Sequence, residues 1–234
     1  MLGIIGAMDE EVARIKEQLT DVQVETRAAM DFYRGKLGGK ETVVVRSGIG
    51  KVNAAICTQI LADVYQVSGV VNTGIAGSLT AEIDIGDIVL SSDALQHDMD
   101  ATGFGYAPGQ VPRVDTLAFP ADKGLIQLAK DCCGEVNPDI HTFVGRVVSG
   151  DQFISDKNKK EWLVNTFAGY CTEMEGAAIA QACYLNGIPF LIVRAISDKA
   201  DDSASVDYSV FEAKAIEHSV NLLTELIKRY EAVR

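Results

Sequence analysis

Residues 1–12 read MLGIIGAMDEEV, an apolar run that turns acidic at Asp9. The pattern predicts a buried strand over Leu2 to Met8, followed by a helix that Asp9 can cap. Apolar runs and amphipathic stretches alternate in this way to the end of the chain. The alternation predicts one domain over residues 1–234, a three-layer α/β/α sandwich around a mixed β-sheet.

Apolar runs bounded by turn residues locate the other elements. Further strands are expected over residues 32–37, 42–45, 70–73, 88–90, 143–149 and 190–196, the first two joined as a hairpin at Gly38-Gly39. Helices are expected over residues 52–64, 122–133, 157–167, 175–185 and 210–230. Thr102 to Pro120 is rich in glycine and proline and predicts a long irregular loop. Loops of this length in compact domains are usually functional lids or contact surfaces.

The composition excludes some classes of partner. Hydrophobic residues make up 47% of the chain, which is enough for a large core, so disorder is not expected. Lys plus Arg total 21 against 33 Asp plus Glu, and the net charge is -12. Such a surface repels phosphate backbones and anionic lipids, so neither nucleic acid nor membrane is an expected partner. A neutral or cationic small molecule is compatible with this charge.

The N-terminus and the cysteines indicate the compartment. The first residues lack the basic region of a secretory signal, and Asn186 and Arg194 interrupt the longest apolar stretch near the C-terminus. Cysteines number five, which is odd, and they lack the spacing of metal ligands. Reduced, buried thiols in a cytoplasmic protein are therefore expected.

Polar and glycine-rich clusters follow four of the predicted strands. They are Met8–Glu11, Asn72–Gly74, Gly150–Ile154 and Ser197–Asp198. In open α/β sheets, ligands bind outside the carboxyl ends of the strands. These four segments, which are distant in sequence, are therefore expected to converge on one site.

Each cluster also has a purely structural explanation. The acids of residues 9–11 can complement a helix N-terminus, and Asp198 can cap a helix. The GIGK of residues 48–51 lacks the upstream glycine and the following Ser/Thr of a phosphate-binding loop, and it predicts a helix-entry turn. The HDMD of residues 97–100 fits loop hydrogen bonding better than a metal site. Neither a metal nor a cofactor is expected.

Six short motifs occur in order along nearly the whole chain. They are IGAMDEEV, SGIGKVNAA, NTGIAGSL, SGDQFI, EMEGAAIA and RAISD. Together they resemble the 5′-methylthioadenosine/S-adenosylhomocysteine nucleosidases, a branch of the purine nucleoside phosphorylase superfamily, from Gly3 to the final helix. EMEG and RAISD suit the wider superfamily, whereas IGAM followed by acids points to the nucleosidase branch.

The resemblance implies a nucleoside phosphorylase-like fold and a hydrolase. The implied reaction converts 5′-methylthioadenosine and S-adenosylhomocysteine to adenine and the 5-thio-substituted ribose, as in methionine salvage and amino-acid biosynthesis. Asp198 is expected to protonate adenine N7, because adenine leaves poorly as an anion, and Ser197 to orient this acid. Glu11 is expected to activate the attacking water. Glu175 is expected to bind the ribose hydroxyls, with Met174 against the sugar.

The resemblance also implies contacts to the rest of the nucleoside. These are Phe153 and the Ile154 backbone with adenine, Gly77 beside the nucleoside, Arg194 with the water and the carboxylates, and Met8, Ile49 and Tyr208 with the sugar and 5′-substituent. Phe104, in the long loop, is expected to reach the 5′-alkylthio pocket of a neighbouring subunit, which implies a homodimer. Ile75 stands where many family members have serine, so one polar contact near the water is expected to be missing.

Three other functions fit parts of the sequence. A phosphorylase needs a cationic phosphate cradle near the first strand, where this chain has the acids of residues 9–11. One phosphate charge ~4 Å from one carboxylate costs roughly 4 kcal/mol at an effective dielectric near 20, which Arg46 and Arg194 can offset in part. A non-catalytic nucleoside sensor needs the base and sugar contacts but not the acid–base pair. A nucleosidase for another adenine nucleoside, such as 5′-deoxyadenosine or futalosine, also fits.

Overall fold

A mixed β-sheet runs through the computed structural model, which describes residues 1–201 and 204–231 apart from the side chains of residues 205–209. The strands are β1 (Leu2–Gly6), β2 (Thr20–Arg27), β3 (Met30–Leu37), β4 (Lys40–Arg46), β5 (Gly69–Ser78), β6 (Ile88–Gln96), β7 (Phe119–Pro120), β8 (Thr142–Ser149), β9 (Cys171–Glu173) and β10 (Phe190–Asp198). The helices are α1 (Asp9–Lys16), α2 (Lys51–Asp63), α3 (Lys123–Val136), α4 (Lys157–Phe167), α5 (Gly176–Asn186) and α6 (Ala204–Arg229), and a 3₁₀ turn spans Thr102–Phe104.

One half of the sheet closes on itself. The strand order is β10-β6-β8-β9-β5-β1-β4-β3-β2, and β7 pairs with β6. Because β10 also pairs with β5, the strands β10, β6, β8, β9 and β5 form a closed ring. The remaining strands, β1, β4, β3 and β2, extend from this ring as an open sheet.

The closed ring brings strand ends together that an open sheet would separate. β1, β5 and β10 are parallel, so their carboxyl ends are neighbours, as expected. β6, β8 and β9 run in the opposite direction, since β6 is antiparallel to β10 and β9 is antiparallel to β5. Closure nevertheless places β9 beside the end of β5, where Thr172 pairs with Gly77. The sequence clusters therefore converge by ring closure and not by a single parallel edge.

Helices cover both faces of the sheet. α6 packs on β10 and β5 and contacts α1 and α3, whereas α2 packs against α5, which lies on β6 and β8. All residues of β1, β5 and β10 are buried, as is typical of strands covered on both sides. The expected α/β/α sandwich around a mixed sheet is confirmed.

The predicted hairpin of β3 and β4 is confirmed. The two strands pair in antiparallel register, with Phe32 opposite Val45 and Leu37 opposite Lys40. Gly38 and Gly39 connect them with φ values of 57° and 82°, a backbone region that glycine enters without the steric cost of a Cβ.

Three strands, β2, β7 and β9, lie where the sequence predicts none, and the two residues of β7 end the predicted loop of residues 102–120. All eight residues of β2 are exposed, Val22 and Val24 included, so the strand has no buried face, and it pairs with β3 at the edge of the sheet. β9 has only three residues, which is too short for a periodic signal. The last helix also begins at Ala204, six positions before the expected start.

The expectation that Asp9 caps the first helix is wrong. Met8 occupies the position before the helix, and Asp9 is its first residue. The Asp9 carboxylate instead pairs with Arg46 at 3.2 Å and with Lys16 at 3.5 Å on the surface. The amide of Met8 is satisfied by the side chain of Glu11, at 3.0 Å.

The five cysteines are buried and unpaired. Burial raises the pKa of Cys57, Cys171 and Cys183, so these thiols stay protonated and unreactive at neutral pH. Among the described residues, no helix combines the length and apolarity that crossing a bilayer requires.

Candidate active site

A cavity of about 490 Å³ opens where the ends of β1, β5, β9 and β10 meet. Its size lies within the range of small-molecule sites. Four carboxylates and a larger apolar surface form its wall. The lining residues are Ala7, Met8, Glu11, Ile49, Ile75, Ala76, Gly77, Phe153, Thr172, Glu173, Met174, Glu175, Ser197 and Asp198.

Glu11 lies in the first turn of α1 and is buried. Its Oε2 accepts hydrogen bonds from the amides of Ala7, at 2.7 Å, and Met8, at 3.0 Å, and its Oε1 accepts from the amide of Ile75, at 3.3 Å. Burial raises the pKa of Glu11, and the charge of Arg194 and these amides oppose the rise only in part. The side chain is therefore a fixed carboxylate with more basicity than an exposed glutamate.

Asp198 is the last residue of β10 and is also buried. Its Oδ2 accepts from the Ser197 hydroxyl at 2.8 Å, and its Oδ1 accepts from the Ala200 amide at 2.8 Å. A Cβ at Gly77 would lie 2.7 Å from Asp198 Oδ1 and 2.7 Å from the Ala200 side chain. Gly77 therefore permits the close approach of the Asp198 segment to β5.

Glu173 of the cavity wall forms a buried ion pair with Arg194, which lies behind the wall, and the two side chains are 3% and 1% exposed. Arg194 donates to Glu173 through Nε, at 3.2 Å, and through Nη2, and Nη2 also donates to Asn72. Glu173 accepts further bonds from the Ser149 hydroxyl and from the Gly176 amide, at 2.7 Å. Burial opposes ionisation of Glu173, but Arg194 and these donors together hold its pKa below the usual range.

Sequence reasoning missed Glu173, although the signal was present. Arg194 lies in an otherwise apolar stretch of β10 and needs a buried carboxylate partner, because an unpaired buried charge is very costly. EMEG contains two glutamates, and only Glu175 was singled out. Which of the two faces Arg194 depends on the pairing of β9 with β5 and β8, which the sequence does not display.

Glu175 occupies the position before α5 and is 6% exposed. Its Oε1 accepts from the Gly50 amide at 2.8 Å. Burial, and then the charge of Glu173, raise its pKa to about 7, while Arg194 and the Gly50 amide oppose the rise. Near neutral pH, Glu175 is therefore close to half protonated.

The apolar part of the wall includes Phe153 and Ile49, whose exposed fractions are 51% and 54%. Ile75 lines the same cavity and is buried next to Glu11. Ile154 does not line it, and its side chain packs in a small separate core cluster with Leu163 and Leu79. This arrangement leaves only the backbone of Ile154 for the expected base contact.

Two other predicted site residues lie outside the cavity wall. Phe104 ends the 3₁₀ turn and is 87% exposed, so within this chain it does not reach the cavity. Arg194 lies behind the wall and pairs with Glu173, one of its carboxylates. The side chain of Tyr208 falls outside the described part of the structure.

Comparison with known proteins finds relatives that match nearly the whole chain. The family model of the phosphorylase superfamily matches residues 1–228. The 5′-methylthioadenosine/S-adenosylhomocysteine nucleosidase of Shewanella loihica is 40% identical over 228 residues, which is 97% of this chain and 98% of the relative. The same enzyme from Staphylococcus haemolyticus is 40% identical over 229 residues, 97% and 99% of the two chains.

The chain belongs to the 5′-methylthioadenosine/S-adenosylhomocysteine nucleosidase family of the phosphorylase superfamily.

Solved structures of similar proteins have the same fold. The Neisseria meningitidis nucleosidase in complex with methylthio-immucillin-A superposes with a TM-score of 0.94 at 36% identity, over 98% of this chain and 99% of that one. The Helicobacter pylori futalosine hydrolase superposes with a TM-score of 0.93 at 33% identity, over 98% and 97%. The nucleoside phosphorylase-like fold and the family resemblance drawn from the motifs are confirmed.

The raised pKa of Glu175 predicts that the free energy of unfolding depends on pH. Since its pKa rises from 4.5 to about 7 on folding, its contribution is fully present below pH 4.5 and is lost as pH rises through 7. The loss amounts to about 3 kcal/mol. Glu175→Gln has no such proton, so its free energy of unfolding relative to wild type should increase by up to that amount between pH 4.5 and pH 8.

Urea unfolding of wild type and Glu175→Gln at several pH values measures this difference. The exposed Glu82→Gln serves as the control and should show no such trend. A wild-type to Glu175→Gln difference that is constant across the range would show that Glu175 titrates normally.

Proposed function

We propose that the chain hydrolyses the N-glycosidic bond of 5′-methylthioadenosine and S-adenosylhomocysteine, and releases adenine and the 5-thio-substituted ribose. The main support is that two buried carboxylates, Glu11 and Asp198, line one cavity from different strand ends. Cleavage of this bond by water benefits from an acid for the departing base and a base for the water. The relatives support the same chemistry, since their names state both substrates.

Asp198 is assigned as the general acid that protonates adenine N7. Adenine departs far more readily as a neutral base than as an anion. An aspartic acid has an unperturbed pKa of about 3.9, so the proton must be shared with N7 or favoured by the site. The Ser197 hydroxyl and the Ala200 amide hold the two carboxylate oxygens, and we assign Ser197 to orient the acid.

Glu11 is assigned as the base that activates water. Its raised pKa makes it a better proton acceptor than an exposed glutamate, and its amide contacts hold it in one position. As the bond breaks, positive charge develops on the ribosyl carbon, and water attacks it. Arg194 is assigned to hold the water and the carboxylates in place. With Ile75 at its position, the water has no hydroxyl donor from that residue.

The other cavity residues are assigned to the sugar, the base and the 5′-substituent. Glu175 binds the ribose hydroxyls, because an ionised carboxylate can accept from two hydroxyls at once. Substrate binding then favours the ionised form of a side chain that is half protonated without it. The remaining assignments are Met174 with the sugar, Phe153 and the Ile154 backbone with adenine, Gly77 beside the nucleoside, and Met8, Ile49, Tyr208 and the partner's Phe104 with the 5′-substituent.

Phosphorolysis is less well supported than hydrolysis. A phosphate cradle needs cationic side chains that are not already neutralised. Arg46 pairs with Asp9 at 3.2 Å, and Arg194 pairs with Glu173. Neither arginine is therefore left to balance a phosphate beside Glu11.

Hydrolysis of futalosine is the second candidate. It is favoured by the similarity to the Helicobacter pylori futalosine hydrolase, whose fold matches almost as closely as that of the Neisseria meningitidis enzyme. Both reactions release a base from a ribosyl carbon, so the same acid–base pair serves either one. Adenine release from a panel of 5′-substituted adenosines, compared with base release from futalosine, separates the two.

We also propose a homodimer of cytoplasmic chains, each one domain over residues 1–234. Large apolar side chains are exposed on α2, on α5 and on the loop that holds the 3₁₀ turn. They include Val52 (69%), Leu185 (66%) and Phe104 (87%). We assign a second copy to cover them, with Phe104 entering the partner's cavity. The five buried, unpaired cysteines suit a reducing compartment.

Turnover should need water and not phosphate. Adenine release from 5′-methylthioadenosine should be unchanged when phosphate is removed, and the sugar product should be the unphosphorylated ribose. Chromatography of the products with and without phosphate checks this. A sugar 1-phosphate product would contradict hydrolysis.

The acid–base pair should be essential to turnover. Asp198→Asn and Glu11→Gln should each reduce kcat by two orders of magnitude or more while circular dichroism and Tm stay near the wild-type values. Glu10→Gln, on the exposed side of the same turn, is the matched control and should leave kcat unchanged. Near-normal kcat in either active-site variant would remove that residue from the mechanism.

The two subunits should share their active sites. Sedimentation should show a dimer of the 25.1 kDa chain. Phe104→Ala should raise KM for 5′-methylthioadenosine, because the 5′-substituent loses its apolar contact. Mixing this variant with inactive Glu11→Gln should restore the wild-type KM in heterodimers, where one site has both intact residues. A fully active monomer, or a mixture without restoration, would contradict the shared pocket.

A further inference from the structure

Two neighbouring amides at the start of α2 are capped by side chains from distant segments. The Gly50 amide donates to Glu175 Oε1 at 2.8 Å, and the Lys51 amide donates to Asp151 Oδ1 at 2.8 Å. Gly50, with φ of 97°, precedes the helix and has no side chain that could do this locally. The amino end of α2 therefore joins Glu175 to the loop of residues 150–154, which holds Phe153.

The side chain of Lys51 extends the same connection to the end of β6. Its Nζ donates to Asp98 Oδ1 at 2.6 Å and to Gln96 Oε1 at 3.0 Å. Asp98 Oδ2 in turn accepts from the Asp151 amide at 3.0 Å. Lys51, Asp98 and Asp151 thus form a closed ring of hydrogen bonds across three segments, which we call the loop clamp.

Lys51 and Asp98 of the loop clamp are largely shielded from water, whereas Asp151 is exposed. The side chains of Lys51 and Asp98 are 19% and 17% exposed. Burial alone would raise the pKa of Asp98, but the Lys51 ammonium and the Asp151 amide lower it below the usual value. The Asp98 carboxylate is therefore ionised at neutral pH, and charge-assisted bonds of this kind are stronger than neutral ones.

The buried imidazole of His97 packs against the loop of residues 150–154. His97 is 2% exposed, and neither ring nitrogen has a hydrogen-bond partner among the described residues. A Cβ at Gly150 would lie 2.4 Å from His97 Cε1, so the loop backbone rests directly on the ring. Burial lowers the pKa of His97, which keeps the ring neutral. The loop is thus held by contact on one side and by the loop clamp on the other.

We propose that Lys51, Asp98 and Asp151 are positioning residues that fix loop 150–154, and with it Phe153, relative to Glu175. None of the three lines the cavity. They act through the backbone of the loop and through the amino end of α2. The proposal rests on the proposed function only in taking this loop as the adenine contact and Glu175 as the sugar contact.

Two substitutions open the loop clamp with little change in shape. Asp98→Asn places either an amide oxygen or an amide nitrogen toward the Asp151 amide, so it cannot satisfy that amide and Lys51 as the carboxylate does. Lys51→Met removes the ammonium and keeps the length of the chain, whereas Lys51→Arg retains the charge. Lys130→Met and Asp139→Asn, both exposed and distant in sequence, are matched controls.

Hydrogen exchange followed by mass spectrometry tests the proposal independently of activity. In Asp98→Asn and Lys51→Met, amides of residues 150–154 should exchange about tenfold faster, while those of β10 keep their wild-type rates. Lys51→Arg should recover part of the protection, and both controls should match wild type. Unchanged exchange in the loop, or an equal increase in β10 that signals general destabilisation, would overturn the proposal.

Ligand binding then tests the effect on function. Calorimetry should show that Asp98→Asn and Lys51→Met bind free adenine about tenfold more weakly, and KM should rise similarly while kcat changes less than threefold. Adenine affinity equal to that of wild type in both variants would overturn the proposal. Should wild type cleave no adenine nucleoside, the proposed function would fail, and the exchange result would still decide whether the loop clamp holds the loop.

Discussion

Arg194 lies buried among Glu173, Glu11 and Glu175, and the arrangement of the site depends on its charge. Burying an unpaired arginine is prohibitively costly, and removing one partner of a buried pair typically costs about 3–5 kcal/mol. Glu173 supplies the partner and is held by Ser149 and the Gly176 amide. The pair therefore ties β10 to β9 and to the start of α5. Through these elements it fixes where Asp198 and Glu175 stand.

One cation among three carboxylates leaves the site with excess negative charge. Glu173 takes most of the stabilisation from Arg194, so its pKa falls, while the pKa values of Glu11 and Glu175 rise. This excess of negative charge, with the raised pKa values, would favour hydrolysis. A base of raised pKa can accept a proton from water, and negative charge in the cavity stabilises the positive charge that develops on the ribosyl carbon. The same charge repels phosphate.

The sequence predicts well those features that are local. The buried strands β1 and β10, the hairpin at Gly38-Gly39 and most helices follow from periodicity and turn residues. β2 has only two alternating valines among polar residues and β9 has only three residues, so neither carries a sustained periodic signal. Ring closure by β10 and β5 is a tertiary event, and no pattern in either strand indicates it.

The site residues also divide into those that the sequence motifs predict and those whose roles depend on distant partners. Glu11, Asp198 and Glu175 follow from motif resemblance, and the structure brings all three to one cavity, while their roles stay predictions. Glu173 and Lys51 could not be ranked from the sequence, because their importance arises from partners more than twenty positions away. Phe104 is exposed and lies outside the cavity of its own chain, so its predicted role depends on the proposed dimer, which a single chain does not display.

Glu173 pairs with Arg194 and leaves Glu175 to titrate near neutrality. A ¹³C NMR titration of the glutamate side-chain carboxyls, with Glu175→Gln used to assign the resonance, measures it directly. In wild type the Glu175 carboxyl should titrate with a pKa of about 7. In Glu173→Gln it should titrate at lower pH, because repulsion is removed and Arg194 is released toward Glu175. A wild-type pKa near 4.5, or one that Glu173→Gln leaves unchanged, would contradict the account.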